Sequence, residues 1–378
     1  MDYYSKISFP GLNIGEFSIH NIALKLGSLT VMWYGIIICL GIICAFFYFS
    51  YRAGKAGIKS DDVMDMTLIT VPSAIIGARL YYIIFDGHVS SFLDAIAIWR
   101  GGLAIYGAII GGAVAVICVC LYKKLNFFRL ADMIAPGVML GQIIGRWGNF
   151  CNGEAFGAIM EESSPLYFLR MGLCNKNTGG ALLMVHPTFL YESLWNLIGF
   201  VLINVFYKKK KFNGEIFLWY LGWYGFGRMF IEQLRTDSLY LWNTDIRVSS
   251  VLGFVCFVIA APLAIILRAK TLRYQKRGLV RQTPDIISVM KMKKSDPVSD
   301  METTSEAVEF DTEEFERREA ELDGASEKAA RKDIFSDKEE SEAPAEEVKT
   351  DLGSVTEEVS LSDLKSAGTE ETPDGSDN

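Results

Sequence analysis

The chain has 378 residues, and its net charge of −8 averages two unlike parts: residues 285–378 carry 29 acidic and 11 basic side chains, while residues 1–284 carry a surplus of basic ones. The last part is rich in Glu, Asp, Ser and Thr and poor in aromatics, so it has too little apolar surface to offset the entropy of ordering and is expected to be an acidic, disordered tail. The front part is dense in Ile, Leu, Val, Phe, Trp and Gly, in runs long enough to cross a bilayer. Its three histidines, with no Cys-x-x-Cys or His-Glu-x-x-His pattern, argue against a zinc enzyme; no metal, cofactor or nucleic-acid partner is expected.

Seven apolar runs follow in order, at 29–50, 63–85, 102–122, 130–150, 187–207, 215–234 and 248–267. Each is about the 20 residues a helix needs to span the hydrocarbon core. The first begins too late and runs too long for a signal peptide and lacks a small-residue cleavage pattern, so it is expected to stay in the mature protein. Lys and Arg crowd the segments after the first, third, fifth and seventh runs: Arg52, Lys55 and Lys59; Lys123, Lys124 and Arg129; Lys208 to Lys211; and Arg268 to Arg281. The alternate loops are poorer, with Arg100, then Arg170 and Lys176, then Arg235 and Arg247. By the positive-inside rule the N-terminus faces out and the C-terminus faces the cytoplasm. The expected fold is therefore an all-α polytopic membrane protein of seven transmembrane helices. Residues 1–284 form the membrane domain, with a small external head at about 151–186 between spans four and five. No internal repeat suggests the two-fold build of a transporter.

Cys39, Cys44, Cys118, Cys120 and Cys256 lie inside apolar runs and read as small hydrophobes. Cys151 and Cys174 fall in the external segment, where a disulfide is chemically possible but is not established by spacing.

Charges inside membrane spans are costly and point to function. Arg79 lies near the outer end of the second run and Arg146 near that of the fourth, where either can also snorkel to the headgroups. In the sixth run Arg228, Glu232 and Arg235 stand at i, i+4 and i+7 and share a helix face. They read either as a structural ion pair or as arginines converging on a phosphate, for which guanidinium is the preferred bidentate cation. Residues 141–157, GQIIGRWGNFCNGEAFG, form the densest polar cluster near a membrane boundary. Gly137, Gly141 and Gly145 recur every fourth residue and make a close-packing face. Asn152, Gly153 and Glu154 mark a turn.

These residues resemble a known family. Residues 145–157, GRWGNFCNGEAFG, look like the signature of prolipoprotein diacylglyceryl transferases. Four further blocks agree in order: Trp33-Tyr34-Gly35; Gly77-Ala78-Arg79-Leu80; His186-Pro187-Thr188 with Tyr191-Glu192; and Gly227-Arg228 with Glu232 and Arg235. The resemblance covers about residues 7–270 and leaves out the tail. It implies a seven-span enzyme of the bacterial cell membrane that moves the diacylglyceryl group of phosphatidylglycerol to the lipobox cysteine of a prolipoprotein signal peptide and releases glycerol phosphate. It also implies that Arg146 binds the lipid headgroup and that Arg228 holds a second part of substrate or product. Tyr34, Asn149, Glu154, Gly157 and Glu232 would build the site, and Arg79, His186 and Arg235 fall in the blocks expected to contact substrate.

One position departs from the family. Many members have His-Gly-Gly-Leu in the third span, where this chain has Tyr106-Gly107-Ala108-Ile109. A phenol is a poorer base than imidazole at neutral pH, so Tyr106 is expected to contribute a hydrogen bond at the site with no proton abstraction. The alternative is an aromatic anchor at the interface.

The implied reaction asks for a thiolate, for cationic stabilisation of a departing phosphate, and for lateral access of a two-chain lipid and a helical signal peptide. The residues alone also leave open a channel or transporter, or a membrane subunit that only binds anionic lipid.

Overall fold

The computed structural model describes residues 4–292 except 28, 87–90, 98–100, 241–243, 245, 279 and 281–282. His88, Arg100, Arg281 and the acidic tail from 293 onward lie outside the described residues. Long helices dominate: α1 (Trp33–Lys55), α2 (Ser60–Asp86), α4 (Ile105–Tyr122), α5 (Phe127–Asn152), α6 (Thr188–Phe206), α7 (Glu215–Leu234) and α8 (Val248–Lys276), with short α3 (Phe92–Ile96) and α9 (Ile286–Lys291). Pro72, Pro136 and Pro262 sit inside α2, α5 and α8, as membrane helices tolerate. Six helices, α1, α2, α4, α5, α6 and α8, are long and apolar enough to cross a membrane, where the sequence pattern predicts seven. The exception is α7, which has 20 residues but carries Arg228, Glu232 and Gln233 in its last two turns.

Glycines set the helix pairings. The face predicted from Gly137, Gly141 and Gly145 meets α1: a Cβ on Gly137 would lie 3.1 Å from the Ala45 carbonyl oxygen, and one on Gly145 would lie 3.4 Å from the Ile38 side chain. One turn further on, a Cβ on Gly148 would press on the Tyr34 ring at 2.9 Å. In the same way Gly77 of α2 lies against Gly107 and Gly111 of α4. Such contacts let backbones approach where packing drives association.

The expectation of an all-α chain is corrected at the head. Strands β1 (Tyr4–Phe9), β2 (Ile14–His20), β5 (Met171–Cys174) and β6 (Leu183–Val185) form an antiparallel sheet in the order β2-β1-β5-β6; β3 (Ile22–Leu26) and β4 (Leu29–Met32) form a hairpin just before α1. β1 alternates strictly, burying Ser5, Ile7 and Phe9, the period-two signature of a half-buried strand. Its partner β5 lies far along the chain and is only four residues long, so neither strand announces the sheet locally. The head therefore uses the N-terminal strands as well as the loop before α6. Its core of Ile7, Phe9, Met171, Leu173 and Val185 includes Phe189 from the first turn of α6, which seats the sheet directly over that helix end. Cys151 and Cys174 are not joined by a disulfide.

At the other end the packing continues past residue 284. α9 buries Ile286 and Val289, and Met292 just after it, among Phe212, Leu218, Ala264, Leu267 and Tyr274. Asn126 and Asn213 donate to the Asp285 carboxylate at 2.6 and 2.9 Å. Six helical residues leave little trace in the composition of a long acidic segment. Burying such apolar side chains is worth about 1.5–3 kcal/mol each when complete. Truncation after Pro284 is therefore expected to lower the thermal unfolding midpoint of detergent-solubilised protein by several degrees, and truncation after Met292 to leave it unchanged. Equal midpoints for the two truncations would show that α9 adds nothing.

Candidate active site

The last turn of α5 places the first residues of the site. α5 ends where Gly153 turns left-handed, at φ 60°, and its amide and that of Glu154 return to the carbonyls of Phe150 and Asn149 at 3.0 and 3.1 Å. This closes the helix as a left-handed cap does. The head clamps the turn: Asn175 Nδ2 donates to the Gly153 carbonyl at 2.8 Å and to Ser5 Oγ at 3.1 Å. Thus folded back, Glu154 accepts from Asn149 and Asn152 through Oε1 at 3.1 and 3.2 Å. Asn149 Oδ1 in turn accepts from Arg146 Nη1 at 3.4 Å.

Glu192, in the second turn of α6 and only 4% exposed, gathers three arginines. Its Oε2 lies 2.5 Å from Arg146 Nη2, and its Oε1 accepts from Arg228 Nη1 at 2.9 Å and Arg235 Nη1 at 3.3 Å. Arg228 Nη2 lies 2.7 Å from Glu232 Oε2; the pair is ionic, though the carboxylate oxygen sits off the N–H direction. Arg235 holds Asp237 bidentately at 3.0 and 2.9 Å, and Arg247 donates to the Glu232 carbonyl. Buried charge survives only when paired in this way, because each desolvated ion otherwise costs several kcal/mol.

A tryptophan pair sets the spacing of α6 and α7 next to the cluster. Trp195 Nε1 donates to the Trp223 carbonyl at 3.0 Å, and Trp223 Nε1 donates to the Trp195 carbonyl at 2.9 Å. The rings stack 4.2 Å apart. Gly199 and Gly227 make room for them, since a Cβ on either would run into the opposite indole. Tyr224, one turn before Arg228, lines the same small cavity as Glu192, Asn196 and Arg228.

The other predicted residues fall around this core. Tyr34 lies over Gly148, within electrostatic range of Arg146 and Glu154. Tyr106 is half-buried; its hydroxyl is 3.0 Å from Ser249 Oγ at the start of α8, and Tyr224 is within its electrostatic range. Gly157 is wedged between His186 and the end of α7: its amide donates to the His186 carbonyl at 2.9 Å, and it bridges Arg235. His186 Nδ1 is 3.3 Å from the Tyr191 hydroxyl. Burial pushes the His186 imidazole below its usual range, because desolvation disfavours the charged ring. Arg79 stands apart. It donates to the carbonyls of Ala95, Gly101 and Gly102 at 2.8, 2.7 and 2.9 Å and to that of Asp94, fastening the segment after α2.

The fold thus brings Arg146, Asn149, Glu154, Gly157, Arg228, Glu232 and Arg235 together with Glu192 and Tyr224. The sequence pattern assigns neither of the last two a role, although Glu192 stands in one of the family blocks. A signal existed for Glu192, since a carboxylate within an apolar run is subject to the same rule that marks Arg146. Tyr224 carries no such mark in an aromatic-rich helix. Convergent, largely buried guanidiniums can take a phosphodiester bidentately and stabilise charge that builds on its oxygens.

Comparison with known proteins agrees. The family model described as "Prolipoprotein diacylglyceryl transferase" matches residues 21–266. The chain is 41% identical over 253 residues to the phosphatidylglycerol--prolipoprotein diacylglyceryl transferase of Listeria welshimeri, covering 66% of this chain and 90% of that protein. It is 44% identical over 246 residues to the enzyme of the same name from Streptococcus pyogenes, covering 64% and 92%. The match spans the arginine cluster and every long helix but the last turns of α8, and the chain belongs to the prolipoprotein diacylglyceryl transferase family.

Proposed function

We propose that this chain transfers the diacylglyceryl group of phosphatidylglycerol to the thiol of the lipobox cysteine in prolipoprotein signal peptides, forming a thioether and releasing glycerol phosphate. The observation that carries the reading is the convergence of Arg146, Arg228 and Arg235 on one buried carboxylate, Glu192, beneath the head. Arg146 and Arg228 reach it from different helices and frame a place for the lipid phosphate. As the carbon–oxygen bond to phosphate breaks, charge grows on the leaving oxygens, and fixed guanidiniums are worth most where water is sparse. Asn149 and Glu154 orient Arg146; Glu232 orients Arg228; Gly157 and His186 hold Arg235 in place.

In this reading α7 is the seventh crossing. Its 20 residues reach about 30 Å, and Glu215 and Glu232 are each 1% exposed, turned into the bundle where they are paired. The lysine-rich and arginine-rich ends then face the cytoplasm and the head faces out, in the multi-pass plasma membrane of a bacterium. Tyr34 and Tyr106 edge the site, and Arg79 keeps the loop beside it in shape.

The test is incubation of purified protein with phosphatidylglycerol and a lipobox peptide, followed by mass spectrometry. A diacylglyceryl adduct on the cysteine, resistant to hydroxylamine, is expected. Lipid binding without any adduct would favour a lipid-binding subunit instead.

Tyr106 bears on the same chemistry. If it supplies only a hydrogen bond, Tyr106→Phe should lower activity by about 1–3 kcal/mol of transition-state stabilisation, the range for one buried contact. The shape of the pH–rate profile should not change, and Tyr106→His should remain active. A phenylalanine variant dead at every pH would make Tyr106 the base.

A further inference from the structure

We propose that Glu192 receives the proton of the substrate thiol, and that the lipid phosphate is what releases Glu192 to do so; this rests on reading the arginine cluster as the phosphate site. Glu192 spans Arg146 and Arg228 with one carboxylate oxygen on each, as two oxygens of a phosphodiester would. Two anions cannot both stay ionised at one buried site without loss. When the phosphate takes Arg146 and Arg228, Glu192 keeps only Arg235, which is shared with Asp237. That frees a carboxylate oxygen to accept the thiol proton.

The groups facing Glu192 are Arg146 from α5, Arg228, Glu232 and Tyr224 from α7, and Arg235 just beyond it. Among the carboxylates nearby, Glu232 keeps its ion pair along its own helix. Glu154 is held by two amides, and Asp237 by a bidentate arginine. Glu192 is the described carboxylate whose charge balance is tied to all three arginines. The cycle closes without a co-reactant. The S–H bond breaks and its proton passes to Glu192, while the sulfur electron pair forms a bond to the glyceryl carbon that bears the phosphate. The carbon–oxygen bond breaks with its electrons going to the phosphate oxygen. Glu192 then gives the proton to the departing glycerol phosphate and closes again on Arg146 and Arg228.

The experiment compares wild type, Glu192→Gln and Glu192→Asp for phosphatidylglycerol binding and for single-turnover transfer to a lipobox peptide, from about pH 6 to 9. Glutamine removes both the base and the competing anion. Lipid binding at least as tight as wild type is therefore expected, with transfer slower by about 10²-fold or more and the acidic limb of the pH–rate profile gone. Aspartate should restore part of the rate. Transfer by Glu192→Gln within about threefold of wild type would overturn the proposal, being far short of a general base's share. So would lipid binding weakened in step with the rate, which would make Glu192 only a brace for the arginines. Should the glutamine variant fail to fold, the aspartate variant decides: a displaced acidic limb supports the proposal, and an unchanged limb and rate overturn it. Arg146→Ala and Arg228→Ala, assayed alongside, must weaken lipid binding; if they do not, the phosphate site itself is wrong, whatever Glu192 does.

Discussion

Arg146→Ala and Arg228→Ala are each expected to abolish most transfer, lowering kcat/KM by about 10²–10³-fold, the loss found when a preorganised donor to a developing anion is removed. The geometry makes the two losses unequal in kind. Among the described residues Arg146 is bonded to Asn149 and paired with Glu192, so its removal frees one oxygen of Glu192, which keeps Arg228 and Arg235. Arg228 joins Glu192 to Glu232, and without it two carboxylates, 4% and 1% exposed, are left close together with less counter-charge. Breaking a buried pair from one side costs about 3–5 kcal/mol, so Arg228→Ala should also lower the thermal midpoint, whereas Arg146→Ala should barely move it. Arg146→Lys is expected to remain poor, because a point ammonium cannot span Asn149 and a carboxylate at once. Steady-state kinetics with a lipobox peptide, together with thermal unfolding in detergent, check all three. Near wild-type turnover by the lysine variant would end the bidentate assignment for Arg146.

Gly157→Val should be nearly as damaging, although it touches no charge. A Cβ at Gly157 would lie 2.6 Å from the His186 Cβ, 3.0 Å from the Leu234 carbonyl oxygen and 3.0 Å from Thr188 Cγ2. None of these can yield easily. The three belong to segments laced by backbone hydrogen bonds: Ala158 to Leu234 at 2.7 Å, His186 to Ala158 at 3.1 Å and Thr188 to His186 at 2.9 Å. Any side chain therefore pries the start of α6 from the end of α7 and shifts Arg235 relative to Glu192. A displacement of about 1 Å at a catalytic group costs about 10²-fold in rate. Gly157→Ala should show an intermediate loss, with the protein still folded and inserted. If alanine left kcat/KM unchanged and the valine variant lost activity only by failing to fold, the wedge would be structural and nothing more.

Much of this was legible in the chain itself. Helices in lipid must satisfy their own backbone and show an apolar face all round, so each long run reads directly as a helix, and α2, α4, α5, α6 and α7 fall close to the predicted limits, while α8 runs on past 267 to Lys276. The cluster around Arg146 was equally visible, because charge at a membrane boundary is rare enough to carry information. The head sheet was not, since the pairing of Ile7 with Leu173 joins strands that are remote in sequence and short. α9 escaped for a similar reason: Ile286 and Val289, with Met292 just after the helix, gain a core only from residues such as Phe212, Leu267 and Tyr274, which belong to other elements.

What the sequence by itself determined is the class of protein and the residue types of its site: a polytopic membrane chain with arginines and carboxylates near one end, in motifs of a transferase family. What only the tertiary structure decided is which charge meets which. Arg146, Glu192, Arg228 and Arg235 come from three helices and a cap, and a side-chain period can show that residues share a face without showing which partner that face meets. The partner is chosen by packing, here by the close approach of α5 to α1 at glycines and by the reciprocal Trp195 and Trp223 contact between α6 and α7. That packing turns Glu192 from one acidic residue in an apolar run into the common counter-ion of three arginines.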